Sequence, residues 1–141
     1  MTTTGLEVIE RAGLAYALII RANATSDAKY NFLTDSASPL QLGMNFYQPG
    51  EVIKAHYHLK KQIETNSVVQ EFLLIAAGRA KLKLYDAGDQ SEFTSRQLEA
   101  GDMVLLLAGG HGLDIQAETK IVELKLGPYD GKVKDKVVFG A

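Results

Sequence analysis

Gly50-Glu-Val-Ile-Lys-Ala-His56-Tyr-His58 is the stretch on which the fold and the chemistry of this chain turn. Pro49-Gly50 opens it as a turn, because proline pre-sets φ and glycine accepts φ > 0. As a strand, the segment puts His56 and His58 on one face, since strand side chains alternate with period two. Their Cα atoms then stand about 6.7 Å apart, two rises of roughly 3.3 Å, and both imidazoles reach a single metal ion. Lys54 shares that face by parity, so it either enters the same cavity to meet an anionic ligand or stays a solvated lysine near a turn. A His-x-His pair on its own is weak, because surface histidines pair by chance.

Two further stretches strengthen it. Glu71-Phe-Leu-Leu-Ile-Ala-Ala-Gly78 sets a carboxylate at the head of an apolar strand that ends in glycine. Gly101-Asp-Met-Val-Leu-Leu-Leu-Ala-Gly-Gly-His111 is a second apolar strand, running from a Gly-Asp turn to a glycine pair and a histidine. The order glycine, His-x-His, glutamate, glycine, then glycine, apolar strand, histidine resembles the two motifs of the cupin family. All 3 histidines of the chain fall at the metal-ligand positions of that pattern.

The resemblance covers residues 46–127. It implies an all-β fold, the cupin-type jelly-roll β-barrel or double-stranded β-helix. The chain then reads as a single cupin domain over 1–141, with N-terminal strands in 1–45, the motif-bearing barrel in 46–127 and a C-terminal tail in 128–141. The metal ligands it implies are His56, His58, Glu71 and His111. It also implies a homodimer paired through sheet edges, which protects an otherwise exposed strand, with the apolar run at 14–20 as the contributor. Some positions depart from the family pattern. Residues 59–70 intervene where cupins bring the carboxylate within a few residues of the second histidine. Leu107 stands at a proline position, His111 arrives one residue early, and Ile115 replaces an asparagine. The insertion admits a rival carboxylate, Glu64, in Lys60-Lys-Gln-Ile-Glu64-Thr-Asn66. Glu71 is preferred because Glu64 sits in a polar stretch with no downstream glycine.

With 141 residues the chain is one domain by size, long enough to bury about 68–70% of its unfolded surface. A net charge of −2 carries no electrostatic footprint for nucleic acid or an anionic membrane, so neither is an expected partner. The chain has 0 cysteines, which removes disulfides, thiolate metal sites and cysteine nucleophiles. Any metal must be held by imidazole and carboxylate, a donor set for Fe, Mn, Ni, Cu or Zn that keeps coordination positions open. The start Met-Thr-Thr-Thr-Gly-Leu-Glu has neither a basic region nor an apolar run, so no signal peptide is read there. The longest apolar runs, Leu14–Ile20 and Val104–Ala108, are far too short to span a membrane. A cytoplasmic location is expected.

Along the chain, Leu14–Arg21 is β-prone, and Tyr30–Leu33 is a short strand candidate. Leu40, Leu42, Met44 and Phe46 alternate as one face of a half-buried strand. The histidine strand is expected to run to Leu59, and residues 60–68 to form a protruding hairpin or lid. Val69–Ala77 and Met103–Leu107 read as buried strands, Lys81–Asp86 and Ser91–Leu98 as a hairpin around Ala87-Gly-Asp-Gln90. Leu113–Ala117 and Lys120–Leu126 read as a second hairpin around Glu118-Thr119. In the latter strand Glu123 and Lys125 alternate with Val122, Leu124 and Leu126, which makes them the solvent face of an edge strand, with a pocket role for Glu123 as the alternative. The lysine-bearing tail is expected to dock as another edge strand. No stretch longer than one turn has helical periodicity.

Three functions fit these residues. The first is a metal-dependent cupin enzyme, an oxygenase, isomerase or lyase acting on a small polar metabolite, with the ion as Lewis acid or dioxygen binder. The second is a metal-free sugar-nucleotide isomerase or epimerase with His56 or His58 as general base. The third is a non-enzymatic small-molecule binding module. Gly109-Gly-His111-Gly and Glu123-Leu-Lys-Leu-Gly-Pro-Tyr129 look like the small stand-alone cupins of bacterial polysaccharide biosynthesis. That resemblance points to a sugar or sugar nucleotide as the ligand, with Lys54 and Glu123 as candidate binding residues.

Overall fold

Two-residue turns of the primed kind match the right-handed twist of paired strands and need positive φ, and Ala12-Gly13 supplies one (φ 50° and 76°). It joins β1 (Thr3–Arg11) to β2 (Leu14–Ser26) in an antiparallel hairpin. After them come β3 (Tyr30–Phe32), β4 (Gly43–Asn45), β5 (Glu71–Ala77), β6 (Arg79–Tyr85), β7 (Glu92–Glu99), β8 (Met103–Leu106), β9 (Gly110–Ile115) and β10 (Lys120–Lys125). One short helix, α1 (Lys132–Asp135), lies in the C-terminal tail. This computed structural model describes residues 2–62 and 68–139.

All strand pairs are antiparallel. They form a five-stranded sheet in the order β1-β2-β8-β5-β10, a three-stranded sheet β7-β6-β9, and the small pair β3-β4. Ile9, Ala17, Ile19, Leu73, Ile75, Val104 and Leu106 of the large sheet share one core with Leu82, Leu84 and Leu98 of the three-stranded sheet. The two sheets thus face each other as a sandwich. Among the described residues they do not close into a barrel.

The opposite face of the large sheet is also covered. Leu18, Ile20 and Leu105 pack there with Leu33, Leu40, Leu42 and Met44 from the β3-β4 layer. β2 and β8 are therefore buried on both sides, which is why their sequences are continuous apolar runs rather than alternating ones. The half-buried positions 40, 42, 44 and 46 keep the alternation expected of them, although only Gly43–Asn45 is paired as strand.

The Gly101-Asp102 turn is fixed from inside. Asp102 is only 4% exposed. Its carboxylate accepts the Ala22 N–H, the Glu99 N–H and an Arg21 guanidinium N–H, each at 2.9 Å. Gly78, at φ 84°, has no room for a side chain: a Cβ would run into the Glu118 carbonyl and Thr119. The Thr119 hydroxyl accepts the Arg79 N–H at 3.1 Å, which pins the β9–β10 connection to the β5–β6 corner.

Several expectations change. The run at 14–20 is not a sheet edge, because β2 lies between β1 and β8; among the described residues the outer strands of the large sheet are β1 and β10. β9 and β10 do not form a hairpin with each other. β9 pairs with β6 and β10 with β5, so their connection crosses from one sheet to the other. Residues 46–62 hold no strand. Val52, Ile53, Tyr57 and Leu59 are all exposed there, and without a partner strand or a buried face an isolated extended segment gains too little to order as β. The tail carries α1 instead of an edge strand. Of the proposed lid at 60–68, and of Glu64 within it, residues 63–67 lie outside the described residues.

Candidate functional site

Glu71 begins β5 with the same parity as Leu73 and Ile75, so it faces the three-stranded sheet from the rim of the sandwich. On that sheet His111 stands opposite Leu84 and shares parity with Leu113, which packs on the core. The two side chains meet across the mouth, with His111 Nε2 3.1 Å from Glu71 Oε2. Glu71 is 18% exposed and His111 35% exposed at the side chain, so the pair is sheltered and still reachable.

The His111 hydrogen bond holds the Glu71 carboxyl below its usual range; burial opposes this, while Glu123 and Lys125 assist it. A carboxyl depressed in this way contributes stability in full above its unfolded pKa, near the reference 4.5, and loses it as pH falls through the lower folded value. The stability gap between the native chain and Glu71→Gln is therefore expected to narrow on acidification below that point. Urea midpoints at about pH 6 and about pH 3 measure it, and a gap of unchanged size would remove the ion-pair account.

β10 completes the mouth. Lys125 pairs with Glu71 in the ladder and Glu123 with Leu73. Both share the parity of Ile121, which packs on the core, whereas Val122 and Leu124 on the other face are 48% and 61% exposed. The expected solvent face is thus the one that shares the core side, with Lys125 24% and Glu123 48% exposed at the side chain. Alternation in an edge strand shows that two faces differ but not which one lies inside. Parity with Ile121 was the signal for Glu123 and Lys125. Lys125 Nζ lies 3.4 Å from Glu123 Oε1 and 2.8 Å from Asp135 Oδ2, and 5.3 Å from the centroid of the Tyr129 ring.

His56 and His58 stand on the exposed 46–62 segment. Their rings are neighbours, with centroids 5.2 Å apart and planes at 74°. His56 Nδ1 donates to the Lys54 carbonyl at 2.8 Å, which leaves Nε2 as the lone-pair nitrogen. Among the described residues no three His, Asp or Glu side chains are grouped so as to hold a metal ion. The structure thus pairs Glu71 with His111, and His56 with His58, and does not bring the two pairs together. Lys54 lines a different hollow of about 560 Å³, with Lys29, Tyr30, Tyr47, Glu51 and His56 around it. There Lys29 pairs with Glu51 and lies 5.4 Å from the centroids of both tyrosine rings.

The tail supplies residues that sequence reasoning missed. Asp135 reaches Lys125, and Phe139 packs edge-on against Tyr85, with ring centroids 5.2 Å apart. Gly110, next to His111, leaves that ring its space, since a Cβ there would collide with it. Comparison with protein-family models, with curated proteins and with solved structures finds no match.

Proposed function

We propose that this chain is a metal-binding cupin that takes a small polar metabolite, such as a sugar or sugar nucleotide, at the mouth where Glu71 meets His111. One observation carries the reading. Two residues 40 positions apart in sequence (71 and 111), on facing sheets, meet at 3.1 Å, and both occupy ligand positions of the cupin pattern.

The donor chemistry fits a divalent ion. A carboxylate and imidazoles suit Fe, Mn, Ni, Cu or Zn. The bond from His56 Nδ1 to a backbone carbonyl is the kind of outer contact that orients a metal-ligating histidine through its other nitrogen. In this reading residues 46–62 fold along the free edge of β9, complete the jelly roll and carry His56 and His58 to Glu71 and His111. The exposed Val52, Ile53, Tyr57 and Leu59 and the unpaired edge of β9 favour that closure, because each is surface that pairing would bury. Glu71 supplies the anionic ligand, the histidines neutral ones, and a bound ion would act as a Lewis acid on a substrate oxygen. Glu123 and Lys125 then face the same mouth as polar contacts for the metabolite.

The second reading is metal-free proton transfer. The geometry favours His111, oriented by the ionised Glu71, as the base in place of His56 or His58. Elemental analysis separates the two. Protein purified without chelator is expected to carry about one divalent ion per chain, with occupancy falling on acidification because metal binding needs neutral imidazoles. Absence of metal from both fresh and reconstituted protein leaves the proton-transfer reading.

A homodimer belongs to the same proposal, through β1 or β10, the outer strands of the large sheet among the described residues. Light scattering at micromolar concentration is expected to return twice the chain mass. A monomer mass refutes the pairing.

A further inference from the structure

The C-terminal tail crosses the mouth of the sandwich and grips both sheets. On one side Asp135 bonds Lys125, the ladder partner of Glu71. On the other Phe139 rests on Tyr85 and Gly110, beside His111. Between these anchors little holds it. α1 has no buried residue, and Val133, Val137 and Val138 are 93%, 82% and 73% exposed. Apolar burial, the main source of docking energy, is nearly missing here. Among the described residues the tail is therefore held mainly by the Asp135–Lys125 ion pair, the Tyr129 ring beside Lys125 and the Phe139–Tyr85 contact.

Lys125, in contrast, is fixed by its strand. Its ammonium is held between the Glu123 and Asp135 carboxylates and beside the Tyr129 ring. We propose that Lys125 is the anion-recognising residue of the mouth, that Asp135 occupies it as an internal stand-in, and that a small monocarboxylate enters by displacing the tail. Charge selects a monocarboxylate. The mouth already contains Glu71 and Glu123, and exchanging one carboxylate for another leaves its charge unchanged, whereas a dianionic phosphate would add to the repulsion. The inference rests on the mouth being a ligand site, as proposed above, but not on a metal, and it narrows the ligand there from a sugar or sugar nucleotide to a molecule with a single carboxylate, such as a sugar acid.

The test uses full-length protein stripped with chelator, so that binding cannot run through an ion and a failure of the metal reading is seen separately by elemental analysis. D-glucuronate and lactate are titrated as probes, with D-glucose and inorganic phosphate as controls. Tryptic cleavage after Lys132, Lys134 and Lys136 reports release of the tail. Either carboxylate is expected to bind and to speed cleavage, while glucose and phosphate do neither. Asp135→Asn should be cleaved quickly without ligand and should bind the carboxylates about ten-fold more tightly, since a site shut for most of the time has its affinity lowered by its open fraction. Lys125→Gln should lose carboxylate binding and also release the tail. The proposal is overturned if neither carboxylate binds, if Asp135→Asn binds no more tightly, if Lys125→Gln binds as well as the native chain, or if glucose or phosphate matches the carboxylates.

Discussion

Glu71→Gln is expected to lower metal affinity by about 100-fold or more, because changes to groups behind metal ligands already cost 10–100-fold and this one removes the only anionic ligand of the proposed set. Its place at the head of β5, followed by the buried Leu73 and Ile75, makes its position rigid, and a metal site tolerates little looseness in its ligands. Glutamine keeps the shape and one oxygen but loses the charge. Glu64→Gln, in the polar insertion, should leave metal affinity nearly unchanged. Glu64 has no downstream glycine and lacks the place in the motif that Glu71 holds. Competition titrations of the two variants against a chromophoric chelator decide the matter. The reverse order would mean that the motif alignment across residues 59–70 is wrong.

The largest loss of stability is expected from Leu82→Ala, at about 2–5 kcal/mol, with roughly 10 °C off Tm. Leu82 is 0% exposed, on the middle strand of the three-stranded sheet, and sits in the core shared by the two sheets. Its removal gives up apolar burial and leaves a cavity that flanking strands on both sides cannot collapse to fill. Val133→Ala is the matched control, because Val133 is 93% exposed on α1 and should change stability by less than about 0.5 kcal/mol. Chemical denaturation of both variants measures the difference. Near-equal values would show that the shared core contributes far less than its burial implies.

Much of the β architecture was legible locally. Period-two alternation marked Lys81–Asp86 and the half-buried face Leu40, Leu42, Met44 and Phe46. Continuous apolar runs marked Leu14–Ile20 and Met103–Leu107, which hold β2 and β8, the strands covered on both faces. The N-terminal strand β1 went unread, because its alternation is weak: Val8 is 52% exposed while its neighbour Ile9 is buried. Glu71 and His111 were singled out by residue type and motif, and the sheets bring them together.

What the sequence by itself determined was therefore where strands and turns lie and which residues can carry chemistry. These follow from side-chain direction and backbone freedom over a few neighbouring residues. Only the tertiary structure decided which strands pair, which face of β10 turns inward, and what crosses the mouth. Glu118-Thr119 looks like a hairpin turn, yet it joins different sheets because Gly78 and Arg79 hold it at their corner. Glu123 and Lys125 look like solvent-facing charges, yet they share the core side because Ile121, on their side of the strand, packs into the core. Asp135 lies 10 residues beyond Lys125 with no local pattern to join them. Such contacts form when distant segments bury a shared surface, and no local period records them.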